Sequence, residues 1–336
     1  MSNVAGEIYF IAEEPSMSTP SVRVKIGLVR ESQKRDSHDR RSDHQTGNPR
    51  RLVLLEAIQT ARVSKVENSL HQRLASRRGL GEWFELSDPE LKAAVETCRE
   101  LAEQQAIHLP VIRLADTMRG TSRNDTMIET TDEINKWHLA HQVATASLSV
   151  FKNLKKSYSA LVKAAHADNV NIDEFANVSQ VQMPCSSWFK QFHPAEYDAS
   201  KYAAKSVKFS PRPLKVGSAL EPDERAMCDE FENKLSAWSL GAGFAELHRF
   251  YLESLLPMQI WKEELELATA YLKFFCDQNR GIHEVCEWKP MSSRKFSRGI
   301  AEDKYPQLVE LYASAELPSS PRITLRGGDE SEDSDD

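Results

Sequence analysis

Residues 7–28 read EIYFIAEEPSMSTPSVRVKIGL, and the fold of the chain's beginning turns on them. Residues 7–12 are a short apolar run rich in β-formers. Residues 21–28 alternate β-branched with charged side chains. Between them EEPSMSTP carries two prolines, which punctuate a chain into turns. The stretch therefore predicts two strands joined by a turn.

Working outward, residues 31–44 are polar and charge-rich and predict a weakly amphipathic helix. QTGNP at residues 45–49 is a breaker, and LVLLEAI at residues 52–58 is a third strand. In residues 61–76 Val63, Val66, Leu70 and Leu74 recur at three- and four-residue spacing, the signature of a helix with one buried face. After the short segment EWFEL, Ser87 or Asp88 can cap a helix running from Pro89 to about residue 106. The order β-β-α-β-α-α predicts an α/β (α+β) domain over residues 1–107, with a three-stranded sheet flanked by helices.

Residues 108–130, with Pro110 and a Thr/Arg/Asn/Asp-rich stretch, read as a linker. Residues 131–320 then predict a mainly α-helical domain. Ile134, Trp137, Val143, Leu148, Phe151, Leu154, Tyr158 and Leu161 line a long first helix, and further helices fall at residues 222–240, 244–255 and 259–279. The last eight residues hold six carboxylates and belong to an acidic tail, residues 321–336, expected to be disordered.

The net charge is −7, and most of that excess sits in the tail. Residues 23–51, in contrast, hold nine Lys/Arg against four Asp/Glu, a local basic stripe suited to phosphate. No apolar run approaches the ~20 residues that span a bilayer, and no signal peptide is evident. Five cysteines without a CxxC pair suggest reduced thiols and a cytoplasmic protein. Cys276, His283 and Cys286 match no common zinc spacing, and buried thiols are the preferred reading there.

Five features follow in order: Ile8-Tyr9, Lys25-Ile26-Gly27, Arg40 with His44, Glu67, and Glu82-Trp83-Phe84. Their order and spacing over residues 7–104 resemble the GIY-YIG nuclease superfamily, in the phage and microbial branch whose second motif reads KIG. Glu7 stands where that family has its first glycine, and no equivalent of its terminal asparagine is found. The resemblance implies a phosphodiester hydrolase acting with Mg²⁺, or with Mn²⁺ in its place.

Residue by residue, it makes Glu67 the metal anchor, since a hard carboxylate suits Mg²⁺. Arg40 would hold the scissile phosphate through a guanidinium that stays charged. Tyr9 would contact or activate the attacking water. Lys25 stands where many relatives have a second tyrosine, and would act as base or as a cation on the transition state. His44 would share the work on the water, and His71, one turn after Glu67, would support the metal site from behind. Against each stands an ordinary role: a solvated carboxylate, a core tyrosine, a surface arginine or histidine.

For nucleic-acid contact the candidates are Arg41, Arg50 and Arg51, together with Lys201, Lys205 and Lys208. The last three lie in residues 200–220, which have no acidic residue and interleave Tyr202 and Phe209 with the cations. An exposed, proline-containing loop would look the same. The leading expectation is a metal-dependent DNA endonuclease, with DNA ahead of RNA as partner and a role in defence against, or mobility of, foreign DNA. No membrane is expected, and the helical domain would contact a protein partner or a second copy. The rivals are a non-catalytic nucleic-acid-binding or regulatory protein, and a ribonuclease or toxin-like effector.

Overall fold

The computed structural model describes residues 4–14, 21–33, 35–79, 81–118, 123–213, 217–238 and 243–327. Four strands form the first sheet: β1 (Gly6–Glu13), β2 (Ser21–Arg30), β3 (Leu52–Thr60) and β4 (Trp83–Ser87), in the order β3-β1-β2-β4 and antiparallel throughout. Helices α1 (Ser37–Gln45), α2 (Val63–Arg73) and α3 (Asp88–Thr117) complete the unit. The sheet has four strands, not three. EWFEL is itself the fourth, pairing with residues Ser21–Lys25 of β2.

Alternation sorts the sheet's side chains onto two faces. Ile8, Phe10, Val24, Ile26, Phe84 and Leu86 form one buried cluster with Val63, Val66 and Leu70 of α2 and with Ala94 and Cys98 of α3. Tyr9, Ile11, Val29 and Leu52 form a smaller cluster on the other face. Helix α1 begins at Ser37, later than its polar sequence suggests, because Asp36 and Asp39 make a reciprocal cap there. It ends at the expected breaker, where Gly47 takes φ +90°. The Gln45 side chain stitches that turn, donating to the Asn48 and Arg50 carbonyls and accepting from the Leu52 amide. The turn expected at residues 15–20 lies outside the described residues.

Helix α3 does not stop near residue 106. It runs through Pro110 to Thr117, so the first half of the stretch read as linker is helical. Its continuation packs against α8 (Phe244–Cys276), which supplies the support that the missing proline donor removes. Helix α8 likewise passes through the buried Pro257 as one helix where two are expected from the sequence. It lies along α4 (Asp132–Ala167), and the two share a core with α7 (Pro222–Ser236).

The remaining elements are β5 (Met127–Ile128), β6 (Ala176–Gln182), α5 (Cys185–Phe192), α6 (Pro194–Ala199), β7 (Lys201–Pro211), β8 (Gly281–Ile282), β9 (Cys286–Phe296), α9 (Arg298–Lys304), α10 (Pro306–Ser314) and β10 (Ser319–Leu325). Beyond α3 the chain is therefore helical with two small sheets, β10-β6 and β5-β8-β9-β7. Residues 201–211 are a strand rather than a loop, and β10 occupies the start of the stretch read as a tail. Residues 328–336, the rest of that tail, lie outside the described residues. Among the described residues no helix is long and apolar enough to cross a membrane.

His248 of α8 sits in the helical core against Tyr158, Phe175 and Tyr251 and shares a hydrogen bond with the Tyr158 hydroxyl at 3.1 Å. Burial, then the charge of Arg326, lowers its pKa from 6.5 to about 4. The folded state thus holds His248 neutral while the unfolded chain protonates it. Its contribution is complete above pH 6.5 and lost as the pH falls toward 4, up to about 3 kcal/mol. Urea midpoints measured across that window should fall, and His248→Gln should make the fall shallower. Identical slopes in both proteins would mean that His248 is solvated.

Candidate active site at the open edge of the sheet

Strand β4 covers β2 only as far as Lys25, so residues 26–30 of β2 form an open edge, held at its start by the Ile26 amide on the Glu82 carbonyl at 3.1 Å. At this edge the two faces of the sheet meet. A cleft of about 520 Å³ opens there, lined by Tyr9, Leu28, Arg30, Gln33, Arg35, Arg40, Glu67 and Glu82. Helix α2 brings Glu67 from one side. Helix α1 brings Arg40 and His44 from the other.

Glu67 is held by what flanks it. Lys65, Ser69 and Arg73, spaced four apart on α2, all face α8: Lys65 pairs with Glu266 at 2.5 Å, Arg73 pairs with Glu263 at 2.7 Å, and Ser69 donates to Glu263. Val63, Val66 and Leu70 anchor the helix on the sheet. One turn beyond Glu67, His71 Nε2 donates to the Ile26 carbonyl at 2.9 Å. That carbonyl points off the open edge, where β4 has ended and no strand among the described residues satisfies it. His71 therefore fastens α2 to the edge of β2, and its hydrogen bond goes to this carbonyl and not to Glu67. Burial, set against that bond, takes its pKa down to about 4, so the ring is neutral.

Glu67 itself has no hydrogen bond or ion pair among the described residues. Burial, then the negative charge of Glu82, raises its pKa to about 7. Glu82 is better placed. Burial opposes its ionisation, but Lys25 Nζ donates to its Oε2 at 2.8 Å and holds its carboxyl below the usual range. Lys25 also lies 5.9 Å from the Trp83 ring centre. Held against the Glu82 carboxylate, Lys25 brings a positive charge to the rim of the cleft.

Tyr9 is 1% exposed, and its hydroxyl reaches His44 Nε2 at 3.3 Å. Burial raises the Tyr9 pKa above 10.0, although the charge and hydrogen bond of Arg40 pull the other way. Burial, with the charges of Lys25 and Arg40, lowers that of His44 below 6.5. At neutral pH the phenol is protonated and the imidazole is neutral, and the two share a hydrogen bond whose direction follows the His44 tautomer. The Tyr9 ring can lie where it does because its cross-strand partner is Gly27. A Cβ at Gly27 would fall 2.3 Å from the Tyr9 hydroxyl oxygen.

The cleft lining thus includes Tyr9, Arg40 and Glu67, with Lys25 and His44 bonded to the lining residues Glu82 and Tyr9. It adds Arg30, Gln33 and Arg35, for which the only signal in the sequence is the basic stripe of residues 23–51. Arg41 lies on α1 with no partner for its Nε among the described residues. Arg50 and Arg51 sit away from the cleft lining, at the start of β3, where they pair with Glu13 at 2.9 Å and Glu14 at 3.6 Å. Lys201, Lys205 and Lys208 are on β7, apart from this site. Cys276 and Cys286 are buried, with hydrogen-bonded thiols, while His283 points toward Glu129 at 3.9 Å.

The donor set of the cleft suits a hard divalent cation. An oxygen ligand that has no protein partner, and whose ionisation burial disfavours, gains most from a nearby positive ion. Among the described residues no group of three or more His, Cys, Asp or Glu could hold a metal by itself. Mg²⁺ needs only one or two carboxylates when it keeps its waters and takes the rest from substrate phosphate.

No curated protein and no solved structure matches the chain. Residues 6–102, the segment that supplies every residue of the cleft, match the family model for the T5orf172 domain.

Proposed function

We propose that the N-terminal unit is a metal-dependent endonuclease of GIY-YIG type that hydrolyses DNA phosphodiesters. The observation that carries this reading is the cleft itself: an unpaired, half-buried carboxylate facing three arginines and a tyrosine–histidine pair. The match to the T5orf172 domain supports it. A role in defence against, or mobility of, foreign DNA belongs to the same reading.

Glu67 holds the cation, Mg²⁺ or Mn²⁺, which when bound supplies Lewis acidity at the phosphate and acidifies water. Arg40 takes the scissile phosphate from the α1 side, while Arg30 and Arg35 line the approach. With His44 in the tautomer whose Nε2 accepts, the Tyr9 hydroxyl passes its proton to the imidazole as it takes one from water. His44, neutral, receives the proton that Tyr9 passes on. Lys25 contributes positive charge where the phosphorane becomes more negative.

Tyr9→Phe tests the relay. The ring keeps its packing and only the oxygen leaves, so the fold should be intact while cleavage falls by about 10² to 10⁴. Supercoiled plasmid, single-stranded DNA and RNA are each incubated with Mg²⁺, Mn²⁺ or a chelator. Metal-dependent nicking of DNA, weakened in Tyr9→Phe, is the expected result. Faster cleavage of RNA would replace DNA with RNA as the substrate. The ion pair that ties Glu82 to Lys25 favours a second reading, binding without cutting. Bound DNA left whole under every metal would establish that one instead.

A further inference from the structure

Strands β7 and β9 pair antiparallel over their whole length, from Lys201 opposite Phe296 to Pro211 opposite Cys286. Each has 11 residues, so the ribbon is about 35 Å long at ~3.4 Å per residue. Its two ends are anchored in different clusters. Phe209 and Trp288 pack with Leu272, Cys276 and Cys286, while Phe296 packs with Trp188 and Phe189. Between those anchors, residues 205–208 and 289–295 are exposed on both faces. An ordinary two-stranded ribbon hides one face against a core. Between its anchored ends this one hides neither.

The exposed ribbon is also one-signed. Lys201, Lys205, Lys208, Lys289, Arg294 and Lys295 lie on it, and residues 201–210 and 288–296 contain no carboxylate, in a chain of net charge −7. Lys208 stands directly opposite Lys289. Like charges facing across strands destabilise a ribbon. Apart from Lys201, which pairs with Asp198 at 2.7 Å, none of the ribbon's lysines has a salt bridge among the described residues. The middle of the ribbon is built from small residues, Ala203, Ala204, Ser206, Ser292 and Ser293, which allow close approach to the backbone. The sequence that makes it is thus costly to the free protein, and its charge fits a polyanion.

We infer that the β7–β9 ribbon is a second nucleic-acid site, inserting into the major groove of duplex DNA while its lysines meet the phosphates on either side. The B-form major groove is about 12 Å wide and admits a two-stranded ribbon. The A-form groove of duplex RNA is too narrow to admit one. The inference takes its partner class from the nuclease reading of the cleft. It makes the C-terminal part of the chain the element that grips the substrate.

The test is fluorescence anisotropy of the full chain on a labelled duplex of about 20 base pairs, in chelator, at salt from about 50 to 200 mM. In Lys205→Gln/Lys208→Gln/Lys289→Gln/Lys295→Gln the slope of log affinity against log salt should shrink by about 3, with affinity down by more than about tenfold. The corresponding four Lys→Arg changes should bind within about threefold of wild type, since charge is kept. Melting of the Gln variant should be unchanged or higher, because the Lys208–Lys289 repulsion is gone. A Gln variant that folds and keeps the wild-type salt slope overturns the inference, as does equal affinity of the wild type for duplex RNA. Binding through the ribbon without cleavage by the wild type would sink the nuclease reading and leave the ribbon standing. Cleavage with an unaltered slope in the Gln variant would do the reverse.

Discussion

Glu67→Gln should lower metal-dependent cleavage by about 10³-fold or more and, in chelator at pH 8, should leave the protein more stable than wild type. The first half follows from charge. Losing the anionic ligand forfeits several kcal/mol of transition-state stabilisation, and each ~1.36 kcal/mol is a factor of ten. The second half follows from the sign of the pKa shift. The Glu67 carboxyl is raised from 4.5 to about 7 in the folded protein, by burial and then by Glu82. An acid whose folded pKa is raised binds its proton more tightly when folded, so ionisation is a penalty on the native state. That penalty is absent below pH 4.5, grows as the pH rises, and is complete above pH 7 at about 2–3 kcal/mol. Glutamine keeps the shape and carries no charge, so urea melts should show the gain at pH 8 and no gain at pH 4.5. Adding Mg²⁺ should stabilise the wild type by mass action and leave Glu67→Gln unmoved. A variant less stable at pH 8 would mean that Glu67 makes a structural contact. A variant that still cuts would move the metal elsewhere.

What the sequence made legible, and what it hid, follows from the range of the interactions involved. Strands β1, β2 and β3 and helices α1 and α2 are written in local patterns: alternation, three- and four-residue spacing, and the breaker that Gln45 stitches shut. Tyr9, Arg40, His44 and Glu67 stand out in the sequence through the resemblance to GIY-YIG nucleases, since local pattern alone leaves each its ordinary role. Strand β4 has five residues, too few for alternation to be diagnostic, and becomes a strand only by pairing with β2. Strands β7 and β9 lack alternation for the opposite reason: both faces are wet, so neither needs apolar residues. Pro110 and Pro257 are read as stops by local rules, and only packing on distant helices explains why α3 and α8 continue. In the site, the spacing of Glu67 and His71 shows that they share a helix face. That His71 serves the Ile26 carbonyl depends on where β4 ends, which no spacing reveals.

Gly27→Ala should cost more than its size suggests, because the site depends on the absence of one methyl group. No left-handed backbone is involved at this position. The requirement is close approach, since the Tyr9 ring lies across the Gly27 backbone. In an unconstrained strand, alanine for glycine would stabilise by about 0.5–1 kcal/mol. Here the new Cβ would lie 2.3 Å from the phenolic oxygen and 2.6 Å from Cζ, and the ring is packed in one cluster with Ile11, Val29 and Leu52. The ring must be pushed along the cleft or the strands must part, at about 1–3 kcal/mol. A shift of about 1 Å in the hydroxyl would also cost about 10² in cleavage, expressed in kcat and not in KM. A double-mutant cycle isolates the cause. Tyr9→Ala alone should cost about 3–5 kcal/mol. In that background Gly27→Ala should become neutral or stabilising, giving a coupling of about 2 kcal/mol. If Gly27→Ala is equally costly with and without the ring, the glycine serves the strand and not the tyrosine. If it costs nothing in either, the Tyr9–His44 bond is not held by this strand pair, and the positioning argued for the water-activating hydroxyl loses its foundation.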